Sequence, residues 1–226
     1  MLIPWARSWP LTPHDFEKMQ IGAEILGKDP RGIKVLKLEN GNILKVFRIR
    51  SRISSAYLYS YARRFRRNAR RLQKLAIPTI KVKQLFHFSD SSNTAVLYEP
   101  LAGETLKKLA YTGDLSDEAC AEVGKFIAKL HDDGVHFRSL HLGNIVLTTS
   151  GELGLIDISD MSIYPWRLLI STRIRNFKHL WRYPEDIQKL GEEKWPIAER
   201  AYFDHCQLSN SSTQKIKREL QLLAKF

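Results

Sequence analysis

Between Asn144 and Asp157 the chain runs through an apolar stretch, a turn and a second apolar stretch, and this pattern leaves little choice of local structure. Ile145 to Thr148 predicts a strand, Ser150-Gly151-Glu152 a tight turn, and Leu153 to Ile156 the returning strand. Such a hairpin holds Asn144 at the entry of one strand and Asp157 at the exit of the other. An amide oxygen and a carboxylate placed this way are hard oxygen ligands suited to Mg²⁺. The remaining oxygens would come from the phosphates of a nucleotide.

The stretch from His136 to Leu147, with Leu155-Ile156-Asp157 behind it, resembles the catalytic loop and metal-binding segment of the protein-kinase fold. Phosphotransferases of that fold carry a catalytic Asp, an Asn five positions on, and a metal-binding Asp further along. Asn144 and Asp157 fit that spacing, and Ser139 stands where the catalytic Asp is expected. The Leu-His-x-Gly-Asn wording at 140–144 is more similar to small-molecule and sugar kinases than to eukaryotic protein kinases. The resemblance implies an α+β, two-lobed fold. Residues 1–98 would form an N-lobe of small antiparallel sheet and one long helix; residues 99–226 would form a mostly helical C-lobe.

The N-terminal half is readable in those terms. Met1 to Pro10, with two tryptophans and two prolines, is expected to lie across the surface. Thr12 can cap a short helix with Pro13 in its first turn. Ala23 to Gly27, Ile33 to Leu38 and Ile43 to Phe47 predict three strands, the first two joined by Asp29-Pro30-Arg31-Gly32. That turn matches a glycine-rich phosphate loop poorly, with only Gly27 and Gly32 flanking it. A lone lysine among alternating apolar residues ordinarily points outward. Lys45, on the third strand ahead of a helix, instead resembles the strand lysine that holds nucleotide phosphates. Glu99 to Leu106 resembles the hinge whose backbone binds adenine. It follows two further strands, Val82 to Phe88 and Thr94 to Tyr98.

Residues 51–76 predict one long helix, with Leu58, Tyr61, Phe65, Leu72 and Leu75 on an apolar stripe that also takes in Asn68. In kinases this helix carries a glutamate that pairs with the strand lysine. Here Asn68 is the candidate for that position, because no acidic residue occurs from Asn40 to Ser89. Ile77-Pro78 is expected to end the helix.

The missing acids also explain the charge. The chain has 226 residues, a formal net charge of +12 and a pI near 9.7. Thirteen Lys and Arg fall between residues 40 and 89, leaving the rest of the chain near neutral. Arg63, Arg66, Arg67, Arg70, Arg71 and Lys74 concentrate that charge on the helix. A merely solvated helix face would bring in glutamates for i,i+4 pairs, so an anionic ligand or membrane surface is the expected partner. No base-stacking motif or nucleic-acid fold signature accompanies the charge, which argues against nucleic acid. Two cysteines, Cys120 and Cys206, fit a reducing compartment. No apolar run approaches a membrane span and no signal peptide is readable. The expected location is cytoplasmic, at most peripheral at the inner face of the inner membrane.

Ser116 to His131 predicts a second helix that delivers the chain to the His136 loop, with Gly134 ending it. After Asp157 the run is Ile158-Ser159-Asp160, without the usual glycine. A basic segment with Arg167, Arg173, Arg175 and Lys178 follows, and the remainder reads as helical packing in which Trp195, Tyr202 and Phe203 are core.

From about Ala23 to Tyr202 the chain resembles the bacterial lipopolysaccharide core kinases, the heptose and Kdo kinases, and most closely their toluene-tolerance-protein-like members. That likeness implies ATP and Mg²⁺ as cofactors and a hydroxyl of a core sugar as phosphoryl acceptor. It assigns Lys45, Gly27, Gly32, Glu99 and Leu101 to the nucleotide, Asn144 and Asp157 to the metal, and Ser139, His141, Asn144 and Asp157 to the chemistry. A serine at position 139 cannot serve as base at neutral pH without help. His141, His136 and Asp160 are the candidates to supply it. The rival expectation is a pseudokinase that binds a nucleotide, or only keeps the fold, and docks to an anionic membrane or partner.

Overall fold

The computed structural model describes residues 8–48 and 60–223 and shows an α+β chain with a mixed sheet. It divides into two compact units. Unit 1 is Met1–Arg70 with Thr79–Leu101, and unit 2 is Arg71–Pro78 with Ala102–Phe226.

Unit 1 is built on a six-stranded sheet in the order β1-β5-β6-β4-β3-β2. Its strands are β1 (Trp9–Leu11), β2 (Glu24–Asp29), β3 (Gly32–Lys37), β4 (Ile43–Phe47), β5 (Lys81–Phe88) and β6 (Thr94–Glu99). Pairings among β2 to β6 are antiparallel, but β1 lies parallel to β5, with Trp9 opposite Phe86. This corrects two expectations. The sheet is mixed, not antiparallel, and Trp9–Leu11 joins it instead of crossing the surface. Leu11 explains the difference: it is buried in a cluster with Leu36, Leu44, Val46, Phe86 and Ala95, and that burial outweighs the poor strand propensity of Pro10 at a sheet edge.

Helix α1 (Pro13–Lys18) follows, capped by Thr12, whose hydroxyl accepts the Asp15 amide at 3.1 Å. Phe16 of α1 meets Phe88 edge-on at 5.2 Å. Every residue of β4 is buried, as the central strand of a sheet covered on both faces must be. Leu44 and Val46 face the cluster with Leu11. Alternation sends Ile43, Lys45 and Phe47 to the other face, where Phe47 packs against Phe65 at 5.9 Å.

Phe65 belongs to α2 (Tyr61–Lys74). The part of the predicted helix before residue 60 lies outside the described residues. Ser60 Oγ accepts the Arg63 amide at 3.3 Å at the helix start. Ala62, Phe65, Asn68, Ala69 and Leu72 form the buried stripe, so Asn68 sits on it as its spacing predicts. The helix ends before Pro78 is reached. Ile77 N–H returns to Leu72 O and Ala76 N–H to Gln73 O, with Ala76 left-handed at φ +53. This is a Schellman motif with alanine where glycine is usual.

Unit 2 holds β7 (Gly103–Thr105), α3 (Leu106–Thr112), α4 (Asp117–Asp132), β8 (Val135–Phe137), β9 (Ile145–Thr148), β10 (Leu153–Leu155) and β11 (Met161–Ile163). It continues with α5 (Ile170–Leu180), α6 (Pro184–His205) and α7 (Asn210–Leu223). The predicted hairpin is present, β9 pairing with β10 in the register Ile145–Leu155. Helix α4 begins within one residue of its predicted start, with Ser116 as its cap. It crosses α6 closely: a Cβ on Gly124 would lie 2.0 Å from the Ala198 carbonyl oxygen.

Beside that crossing Arg173 is fully buried. Its Nη2 pairs with Asp132 at 2.6 Å, its Nε donates to Leu168 O at 3.0 Å and its Nη1 to the Tyr202 hydroxyl at 3.3 Å. The hydroxyl therefore accepts from Arg173 and gives its own proton to His131 Nδ1, 3.0 Å away. The His131 proton then sits on Nε2 and is donated to Asn176 Oδ1 at 3.2 Å, and Asn176 Nδ2 donates to Phe137 O at 2.6 Å. The donor directions agree at every link.

Two stability predictions follow from these contacts. Ala76→Gly removes a left-handed alanine and is expected to stabilise the chain by about 1 kcal/mol, read as a rise in the urea midpoint. Tyr202→Phe leaves Arg173 Nη1 and His131 Nδ1 without their shared partner and is expected to cost about 1–3 kcal/mol, a fall in melting temperature of about 2–4 °C per kcal/mol. An unchanged melting temperature for Tyr202→Phe would show that the relay contributes nothing to stability.

Candidate active site

The relay ends on the residue that begins the loop. Phe137, with its carbonyl held by Asn176, leads into Arg138, whose N–H donates to Asp160 O at 3.1 Å and whose guanidinium grips Asp160 Oδ1 through Nε at 2.8 Å and through Nη2. Ser139 is half-buried, and the chain turns at Leu140, whose N–H returns to Phe137 O at 3.1 Å.

Leu142–Asn144 is a single 3₁₀ turn with His141 as its N-cap, the ring Nδ1 lying 3.2 Å from the Gly143 amide. Asn144 Nδ2 donates to Ser139 O at 2.9 Å and also approaches His141 Nε2 at 3.0 Å. A neutral imidazole has one lone pair, so the ring can serve the Gly143 amide or the Asn144 amide, not both. Whichever it serves, that lone pair is taken by a protein N–H. Burial depresses the His141 pKa, only partly offset by Asp186, so the ring is neutral at pH 7. To take a proton from a substrate it would first have to release a loop contact. The other two candidate bases are engaged as well. Asp160 is held by Arg138, and His136 is buried beside His179, ring centroids 6.2 Å apart.

The bond to Ser139 orients the Asn144 side chain and leaves Oδ1 as its atom available to a cation. The Asn144 carbonyl accepts the Ile156 amide at 3.1 Å, which extends the β9–β10 register by one pair. Asp157 therefore leaves the second strand next to the point where Asn144 enters the first. At Asp157 the backbone is left-handed, φ +51. Apart from glycine, Ala76 and Asp157 alone have positive φ among the described residues. Aspartate tolerates that region better than most residues, and such outliers concentrate at functional sites. Among the described residues no three His, Cys, Asp or Glu side chains converge to hold a metal. Asn144 and Asp157 would thus supply two hard oxygens and leave the other positions to phosphate and water, which suits Mg²⁺.

A carboxylate that the sequence reading passed over lies under this turn. Asp186, in the first turn of α6, is buried, with Oδ1 2.9 Å from Lys107 Nζ and 3.1 Å from the Tyr111 hydroxyl. The hydrogen bond that Lys107 donates to Asp186 raises the lysine's pKa. Tyr183, the cap residue of α6, meets the His141 ring edge-on at 5.2 Å. The only sequence signal was Pro184 followed by two acids, which marks a helix start and nothing more.

In unit 1 Lys45 is 8% exposed, with Nζ 5.7 Å from the centre of the Phe47 ring and 6.0 Å from that of Phe65. It faces the α2 side of the sheet. The β2–β3 turn is closed by Asp29 and by Arg48, which follows β4. Asp29 accepts the Arg31 amide at 2.8 Å, Arg48 bridges Asp29 and the Ile33 carbonyl, Gly32 is left-handed, and Gly27 sits at a register shift. Glu99 turns its carboxylate to Lys81 and Lys83, at 3.2 and 2.8 Å, and Leu101 is half-buried at the end of the unit. On α2, Arg63, Arg67, Arg70 and Lys74 are exposed at intervals that place them on one face, with Arg66 and Arg71 half-buried beside them.

The sequence matches no known family model and no curated protein.

Acid sensitivity follows from the buried imidazoles. Burial, with Arg173 alongside, holds His131 down at about 3, and burial also depresses His136, His141 and His179. A histidine whose folded pKa is depressed stabilises the fold fully above its unfolded pKa of about 6.5 and progressively less as pH falls toward the folded value. Unfolding free energy is therefore expected to fall from pH 7 to pH 4, by up to about 1.4 kcal/mol per pH unit for each such histidine. Urea titrations across that range check this; a flat profile contradicts it.

Proposed function

We propose that this chain is an ATP-dependent phosphotransferase acting on a sugar hydroxyl of an anionic glycolipid, the lipopolysaccharide core. The observation that carries the reading is the hairpin that brings Asn144 and Asp157 to neighbouring positions, with the Asn144 amide oriented by Ser139 O. In this reading Asn144 and Asp157 hold magnesium and Lys45 serves the nucleotide's phosphates. When bound, the ion supplies neutralisation of charge on the transferring phosphoryl group. Ser139 offers a hydroxyl that can orient the acceptor hydroxyl. Without a carboxylate there, a loss of roughly 10²–10⁴ in rate is expected relative to a loop with a general base. The exposed cationic face of α2 and the absence of acids between Asn40 and Ser89 support an anionic acceptor.

A second reading has its own support. Ser139 together with the committed lone pair of His141 favours a pseudokinase, in which Lys45, Asn144 and Asp157 bind a nucleotide without transfer.

The test is the melting temperature with and without Mg-ATP, in wild type and in Asp157→Ala. Ligand at about 100 times its dissociation constant adds roughly 2.7 kcal/mol, a shift of several degrees. The expected shift requires Mg²⁺ and is absent from Asp157→Ala. No shift at saturating Mg-ATP would overturn nucleotide binding at this site. Phosphate transfer to purified core oligosaccharide above the Asp157→Ala control would then decide between the two readings.

A further inference from the structure

The loop that joins β11 to α5 is anchored along its length yet displays apolar side chains to solvent. Tyr164 N–H donates to Gly134 O at 2.9 Å and Leu168 N–H to His131 O at 2.7 Å. Between these anchors the backbone presses on Gly134, which is left-handed at φ +75. A Cβ at Gly134 would lie 2.5 Å from Tyr164 O and 2.4 Å from Trp166 O. Arg167 reaches across to Gln207 Oε1 at 2.8 Å.

On this fixed backbone Leu168 turns inward and is buried, whereas Trp166 is 60% exposed and Leu169 is 67% exposed. Tyr164 stacks on Trp166 with ring centroids 5.9 Å apart, so the two rings present one apolar edge. A rigid loop holding its largest apolar side chains in water points to a partner that takes them out of it.

The charge around the loop narrows the choice of partner. From Met161 to Pro184 there is no Asp or Glu, against five Lys and Arg. Arg173 is buried against Asp132, while Arg167, Arg175, Lys178 and Arg182 are exposed, Lys178 sharing Glu219 at 3.4 Å. Aromatic rings with a polar edge, a leucine beside them and exposed arginines in the same basic segment match the layer where lipid headgroups meet acyl chains.

We propose that Tyr164, Trp166 and Leu169 form a wedge that enters the interfacial layer of an anionic lipid bilayer, with Arg167 and Arg175 against the headgroup phosphates. The wedge belongs to unit 2 and stands whether or not the nucleotide site binds Mg-ATP.

The test is co-sedimentation of the full chain with phosphatidylcholine vesicles, with and without phosphatidylglycerol. Wild type is expected to bind the anionic vesicles and to leave the neutral ones largely unbound. Trp166→Ser/Leu169→Ser is expected to weaken partitioning by about tenfold or more with an unchanged melting temperature, because both side chains are exposed. Arg175→Glu is expected to weaken it in a salt-dependent way. Brominated acyl chains are expected to quench tryptophan emission in wild type and to lose most of that quenching in the milder Trp166→Phe. Wild-type binding by the double variant would overturn the wedge and leave α2 as the contact. Failure of wild type to bind anionic vesicles would overturn the lipid assignment. Self-association of wild type that the double variant abolishes would replace the bilayer with a second copy of the chain.

Discussion

Among the described residues Arg173 is the largest side chain that unit 2 buries completely, and the loop geometry depends on how its charge is accommodated. One buried guanidinium needs a carboxylate and a filled set of acceptors, or its desolvation would cost several kcal/mol. Asp132, the Leu168 carbonyl and the Tyr202 hydroxyl meet that need. The same bonds fix the His131 tautomer and pass the donor direction on to the Phe137 carbonyl. Helices α4, α5 and α6 and the strand before the loop are thereby tied by one polar network. The entry to the Ser139 loop is set by buried electrostatics as well as by apolar packing.

Beyond Phe137 the loop is governed by a shortage of acceptors. Two protein N–H groups approach a ring with one lone pair, and Ser139 contributes its carbonyl. The outcome holds the Asn144 amide in one orientation. The left-handed backbone at Asp157 supplies the matching turn on the other side. The candidate site is thus organised around two residues placed by backbone geometry, with histidine as scaffold.

Much of unit 1 was readable because its signals are local. The strand at Ile43–Phe47, the Thr12 cap and the placement of Asn68 on the buried stripe follow from alternation, capping chemistry and helical period. The hairpin carrying Asn144 and Asp157 was readable for the same reason. What escaped depends on partners far along the chain. Trp9–Leu11 has no strand signal of its own and is drawn into the sheet by the cluster around Leu11. Asp186 looks like an ordinary acid in a first helical turn until Lys107 and Tyr111 are folded against it. Arg173 looks like one more cation in a basic segment, although it is the one buried. The left-handed alanine that closes α2 was missed because proline two residues later offered a simpler explanation for the stop.

The parallel pairing of β1 with β5 constrains the order in which unit 1 can assemble. Trp9 leaves the ribosome first but must wait for Phe86, and β2, β3, β4 and α2 are all synthesised in between. Strands β2 to β4 can zip as neighbours through short connections, whereas β1 closes a loop of long sequence separation and docks late. Until it does, the edge of β5 carries open backbone donors and acceptors able to pair with another chain. The few residues of β1 therefore act as an edge cover as well as a strand, and the nascent chain is most prone to aggregate in the interval between the synthesis of β5 and the arrival of its first-made partner.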